Sequence, residues 1–149
     1  MDNTKFVYVS YISARADEIW KALIDPKTTK KYWQHENISD WKPGSRWEHR
    51  RPGKGGAPLL VGKVIEFSAP RRLVLTWAFA ADEGHEDKYT RVRIDIESYR
   101  KVARLIVTHD LLEPNSEMLK SIIEGWPKVI SSLKSLMEVG KALPQLWEK

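Results

Sequence analysis

Four histidines, at positions 35, 49, 85 and 109, are the side chains of this sequence whose charge can change near neutral pH, so acid-base or metal chemistry would start with them. Their positions form no HxH, HxxxH or HExxH spacing, and no metal site is expected. His109 stands apart because Val107 and Leu111 flank it at two-residue spacing, which places it on an otherwise apolar strand face. There it would either orient a ligand oxygen or move a proton, or else be a hydrogen-bonded core residue, and desolvation should keep it neutral. The carboxylates offer less. Glu66, Asp95 and Glu97 fall on the polar sides of strands, and Glu48, between Trp47 and His49, is expected near a cavity mouth in an ion pair with an arginine. Cysteine is absent, which removes thiolate nucleophiles, disulfides and cysteine-zinc sites and fits a reducing, cytoplasmic setting. There is no nucleophile elbow, P-loop or dinucleotide fingerprint. A non-enzymatic protein without a cofactor is therefore the leading expectation.

These groups need a scaffold, and 149 residues with 42% hydrophobic and 30% charged side chains suit one globular domain spanning 1–149. Phe6 to Ile12 alternates as a first strand. The period then changes to that of a helix from Ala16 to Ile24, and Asp25-Pro26 supplies an N-cap and N1 proline for a second short helix ending about Tyr32-Trp33. Turn chemistry then separates strands near 45–50, 59–67, 72–80, 88–98 and 102–111, with the glycine-rich stretch 51–58 as an exposed loop. In the last of these strands Ala103, Leu105, Val107, His109 and Leu111 should share one face, and in the one before it Val92, Ile94 and Ile96 should do so. From Leu119 to Met137 apolar residues recur every three or four positions, so a long amphipathic helix closes the chain. Pro127 lacks an amide, and a break or kink is expected at Gly125-Trp126-Pro127, with Pro127 opening the main helix and Gly140 capping its end.

The motifs at these junctions resemble those of a family. Ile12 through Leu23 followed by Asp25-Pro26, the Tyr32-Trp33 pair, the turn from Trp41 to Trp47, the stretch from Gly62 to Trp77, and Gly125 through Leu136 with Gly140 are similar, in this order, to the bacterial homologues of the activator of the heat-shock protein 90 ATPase. These belong to the START-like, or SRPBCC, superfamily of helix-grip proteins. The resemblance covers nearly the whole chain and implies an α+β fold: a curved antiparallel sheet of about six strands wrapped around a long C-terminal helix, with two short helices after the first strand. The superfamily carries lipid carriers, hormone receptors, cyclases and co-chaperones on one scaffold, so the fold alone does not decide function.

In such a fold, unfilled space between helix and sheet becomes a ligand cavity. Strand parity and the resemblance nominate Leu73, Leu75, Trp77, Phe79, Val92, Ile94, Leu105, Val107 and His109 from the sheet, and Trp126, Val129, Ile130 and Leu133 from the helix. Trp33, Trp47 and Glu48 are expected at the mouth. Seven tryptophans against three phenylalanines favour a wall of large amphipathic rings. The expected role is non-catalytic binding of a small apolar or aromatic molecule. A surface contact with a chaperone or other protein partner, and a cyclase- or hydrolase-like enzyme using the same cavity, are the alternatives. Residues 27–54 hold eight basic and three acidic side chains, a sector that carries the whole +5 net charge and would serve an acidic partner. Nucleic-acid binding is not expected, since no recognition helix or regular stacking aromatics accompany that sector. Nor is membrane insertion, since no stretch approaches the length of an apolar span. A monomer or homodimer is expected.

Overall fold

The computed structural model describes residues 4–53 and 55–148. Its sheet is a seven-stranded antiparallel one: β1 (Thr4–Ile12), β2 (Glu36–Ser39), β3 (Arg46–Arg50), β4 (Pro58–Ser68), β5 (Arg72–Phe79), β6 (Thr90–Tyr99) and β7 (Val102–Leu112), in the spatial order β1-β7-β6-β5-β4-β3-β2. Helices α1 (Ala16–Ile24) and α2 (Pro26–Trp33) follow β1, and α3 (Glu117–Val139) closes the fold against the inner sheet face. The α+β helix-grip architecture is as expected, with one strand more than the expected six. That strand, β2, pairs with β3 from Glu36↔Arg50 to Ser39↔Trp47. Its sequence Glu-Asn-Ile-Ser has a single apolar residue, so no alternation reveals it.

Local chemistry sets the path from β1 to the site. Asp25 accepts the Lys27 amide at 3.2 Å and the Thr28 hydroxyl at 3.0 Å, which starts α2 at Pro26. Tyr32, fully buried, donates its hydroxyl to the Ala22 carbonyl at 2.9 Å and locks α2 onto α1. Gln34 takes a left-handed conformation, φ 67°, and ends α2. The Asn37 amide then donates to Thr29 Oγ1 at 3.1 Å, which brings β2 back beside the helix it has just left.

Two expectations about the C-terminal half change. Leu111 does not continue the inward row of Ala103, Leu105, Val107 and His109. It is exposed with φ 59°, while Leu112 is buried. The β1–β7 register explains this, because it shifts between Thr4↔Leu112 and Phe6↔His109 and leaves β7 one residue longer than its partner. Pro127 does not open the main helix either. Residues 117–139 form one α-helix with Pro127 in its interior, started by Ser116 Oγ accepting the Leu119 amide at 3.1 Å and ended by Gly140 at φ 76°. The missing Pro127 amide costs helix stability, and the buried row Met118, Ile122, Trp126, Val129, Ile130 and Leu133 offsets it. Each such side chain contributes roughly 1.5–3 kcal/mol when removed from water.

Between β4 and β5 the ladder lapses at Gly62 and Lys63, between the paired positions Val61↔Ala78 and Val64↔Leu75. Side chains take over the freed backbone groups. Lys63 N–H donates to Thr76 Oγ1 at 2.8 Å, and the Trp47 indole N–H crosses above Gly62 to donate to the Thr76 carbonyl at 2.8 Å. No described helix is long and apolar enough to cross a membrane.

Candidate functional site

A pocket of about 280 Å³ opens between α3 and the β3–β5 side of the sheet. Strand β3 shows how the sequence builds its walls: in Arg-Trp-Glu-His-Arg, Trp47 and His49 are buried while Arg46, Glu48 and Arg50 face outward. The end of α2 contributes Trp33, the segment after it His35, β4 Leu59 and Leu60, and β5 Trp77 and Phe79. Across from them α3 presents Ser121, Ile122, Gly125, Trp126 and Val129, and Trp147 covers one side from the C-terminal segment. Gly125 is one of the lining residues, and a Cβ built on it would meet nothing within 4 Å, so the space beside this turn of α3 is open.

Aromatic rings form the floor. The centroids of Trp33 and Trp126 are 5.4 Å apart, those of Trp77 and Trp126 5.4 Å, those of Trp33 and Trp77 6.3 Å, and Trp47 packs behind Trp77 at 4.9 Å. All lie in the range of favourable aromatic pairs. Trp47 and Trp126 have partners for their indole N–H groups, whereas the enclosed Trp77 Nε1 has none among the described residues.

His109 is wholly buried and fully bonded. Trp126 Nε1–H donates to its Nδ1 at 3.1 Å, so the ring proton sits on Nε2, which lies 2.8 Å from Thr90 Oγ1 and donates to it. That hydroxyl in turn donates to the Trp77 carbonyl at 2.8 Å. Burial holds the imidazole neutral by pushing its pKa down to about 4, only partly opposed by the nearby Asp110. Both ring nitrogens are occupied by protein groups, so the geometry gives His109 a packing and orienting role toward Trp126.

His49 is the histidine that lines the opening, with its neighbour His35. His49 Nδ1 lies 2.6 Å from Asn37 Oδ1 and carries its hydrogen toward that oxygen. Burial, reinforced by His35, pushes its pKa down to about 3. The His35 ring stacks on it at 4.6 Å and donates from Nδ1 to the Trp33 carbonyl at 3.3 Å, and burial lowers its pKa as well.

Of the residues expected around a cavity, Trp33, Trp77, Phe79, Trp126 and Val129 line the opening. Leu75, Val92, Ile94, Leu105, Val107, His109, Ile130 and Leu133 are buried in the core and lie outside its lining, because facing side chains from sheet and helix fill that end of the concavity. Trp47 is buried behind Trp77 and is not at the mouth. Glu48 also lies outside the lining. It pairs with Arg46 at 2.6 Å and with Arg50 at 3.7 Å on the outer face. Sequence reasoning missed His35, His49, Leu59, Leu60, Ser121, Ile122, Gly125 and Trp147 as lining residues. The parity of β3 was a usable signal for His49, since residues 47 and 49 must share a side. Among the described residues no three of His, Asp and Glu gather as a metal-ligating group.

Several solved structures share this architecture. CalU16 from Micromonospora echinospora superposes with a TM-score of 0.73 at 21% identity, over 97% of this chain and 80% of that one. The Aha1 dimer from Colwellia psychrerythraea gives 0.75 at 20% identity, over 93% and 99% of the two chains. An HSP90 activator from Plasmodium falciparum gives 0.73 at 18%, over 89% and 94%. At these identities the likeness is one of fold. Comparison with curated protein sequences returns no match. The model of one protein family, described as activator of Hsp90 ATPase homolog 1-like protein, matches residues 13–138. With that match running from the end of β1 to the last turn of α3, the chain belongs to the activator of Hsp90 ATPase homolog 1-like family.

Proposed function

We propose that this protein binds a small apolar or aromatic molecule, without transforming it, in the pocket between α3 and the sheet. One observation carries the reading: an opening of about 280 Å³ floored by Trp33, Trp77 and Trp126 is left unfilled where α3 places a glycine. A core built only for stability would close on itself at that point, since unfilled volume forfeits dispersion contacts. The volume lies just under the usual range for drug-sized ligands, which suits a molecule of one or two rings. Both nitrogens of His109 are engaged within the protein, which supports binding over acid-base turnover.

Gly125→Leu supplies the test. The new side chain enters the pocket, and loss of a helix-interior glycine favours α3 by up to about 1 kcal/mol, so the fold should persist. Calorimetric titration with the neutral probes naphthalene and 2-naphthol is expected to show binding to the native protein and at least a tenfold loss in Gly125→Leu. Nuclear magnetic resonance should locate the probe through shifts of the Trp33, Trp77 and Trp126 indole N–H signals. Equal titration of both proteins, or no binding of either probe, would refute the reading.

A second reading is contact with a chaperone of the Hsp90 type, supported by family membership and by a row of exposed lysines, Lys27, Lys30 and Lys31, on α2. None of the three has an ion-pair partner among the described residues, whereas Arg46 and Arg50 of the same basic sector are paired with Glu48, Glu83 and Glu36. If α2 meets an acidic chaperone surface, Lys27→Glu/Lys30→Glu/Lys31→Glu should weaken binding to a purified Hsp90-type ATPase at least tenfold at low salt. A native protein that neither binds that ATPase nor changes its turnover would end this reading.

A further inference from the structure

The pocket has a polar wall formed by His35 and His49, across from Ser121 on α3, and its chemistry restricts what can occupy it. His49 is clamped between the Trp33 ring at 4.8 Å and the His35 ring at 4.6 Å, so its imidazole is held against rotation. Asn37 Oδ1 takes the Nδ1 hydrogen at 2.6 Å. The remaining nitrogen, Nε2, therefore bears a lone pair and no hydrogen, and it makes no hydrogen bond to the described residues although His49 is only 4% exposed and lines the opening. Unlike Trp77 Nε1, this nitrogen is not fully enclosed: it touches the opening, where a ligand donor would replace a hydrogen bond to water with one inside the pocket. His35 has the same tautomer, since its Nδ1 hydrogen goes to the Trp33 carbonyl. No carboxylate, lysine or arginine lines the pocket, so neither a cationic nor an anionic group finds a counter-charge there.

Building on the ligand-binding reading above, we infer that the occupant is a neutral aromatic molecule carrying a hydroxyl, with its rings against Trp33, Trp77 and Trp126 and its O–H donated to His49 Nε2. The hydroxyl acts as donor only; an ether oxygen at the same place offers a second acceptor to an acceptor and is repelled. A carboxylate is excluded for the same reason and by its desolvation cost. Burial, which keeps both histidines neutral, preserves this preference through the physiological pH range.

Three two-ring probes of nearly one shape separate the possibilities at pH 7.5: 2-naphthol, 2-methoxynaphthalene and naphthalene. The native protein should bind 2-naphthol up to about tenfold more tightly than either of the others, the upper end of what one neutral hydrogen bond contributes. In His49→Phe the preference for 2-naphthol over naphthalene and 2-methoxynaphthalene should disappear, whatever the common affinity of the three. Nitrogen-15 resonance of the His49 ring gives an independent readout on the native protein: Nε2 should move on adding 2-naphthol and stay in place with 2-methoxynaphthalene. Equal affinities of 2-naphthol and 2-methoxynaphthalene, or a naphthol preference that survives His49→Phe, would overturn the hydroxyl assignment while leaving the pocket a binding site. Absence of binding by all three would instead remove the ligand-binding reading on which it rests.

Discussion

Acidification from pH 7 to pH 5 is expected to lower the unfolding free energy by about 4 kcal/mol, before most carboxylates begin to titrate. Two buried histidines account for it. Each has an unfolded pKa near 6.5, and burial depresses the folded value to about 4 for His109 and about 3 for His49. Because the unfolded chain takes up protons first, stability is fully present above about pH 7 and declines as pH falls toward the folded values, at up to about 1.4 kcal/mol per pH unit for each ring. The structural reason is specific to each site. Protonated His109 would turn a hydrogen toward the Trp126 N–H that now donates to it, and protonated His49 would add charge beside the stacked ring of His35. A loss of this size is a large part of the stability of a domain this long. Urea unfolding at the two pH values measures it, and His109→Gln and His49→Gln should each remove about half of the pH dependence. A native protein equally stable at pH 7 and pH 5 would contradict the neutral, desolvated state assigned to both rings.

Gly62→Ala should cost about 4 kcal/mol or prevent folding altogether, although it adds a single methyl group. The new Cβ would fall onto the Thr76 carbonyl oxygen and 2.5 Å from Trp47 Nε1, both on groups that cannot swing away. Separating β4 from β5 to make room would break the Trp47 and Lys63 bonds that replace the ladder there, leaving buried polar groups unpaired at about 1–3 kcal/mol each in addition to the overpacking strain. The double variant Trp47→Phe/Gly62→Ala tests the assignment, because removing the indole N–H leaves the clash with backbone in place and should not rescue stability. Chemical denaturation giving Gly62→Ala within about 0.5 kcal/mol of the native protein would show that the strands can part at little cost.

Elements with a long, regular period were legible in the sequence. The face of α3 through Ile122, Trp126, Val129, Ile130 and Leu133 is apolar, with Ser132 the one buried polar side chain on it, and the inward rows of β6 and β7 follow from alternation. What escaped was local. β2 is four residues with one apolar side chain and exists because Thr29 and β3 give its backbone partners. Leu111 leaves the inward row because one extra residue in β7 reverses the parity beyond Asp110, and alternation alone has no memory of register. Pro127 reads as a helix breaker until the packing around Trp126 and Val129 is known. The pocket was half legible. Trp33, Trp77, Phe79, Trp126 and Val129 were named by family pattern and parity, but His35, Gly125 and Trp147 reach the same space from separate segments. Strand parity applied to β3 would have put His49 inward beside Trp47 and Glu48 outward, where the expectation placed Trp47 and Glu48 together at the mouth.

The tryptophan floor has an optical consequence. Indole rings with centroids 4.9 to 6.3 Å apart, as Trp33, Trp47, Trp77 and Trp126 are, exchange excitation far faster than they emit, so the four behave as one chromophore. Light absorbed by any of them samples the others before it is released. Their transitions should also mix, giving a paired positive and negative band in circular dichroism that scales with the geometry of the whole cluster. A molecule touching one ring would thus dim the emission of all four, and replacing a single tryptophan would alter the spectrum by more than one residue's share. Occupancy of the pocket would then be read as a collective signal, with no label added.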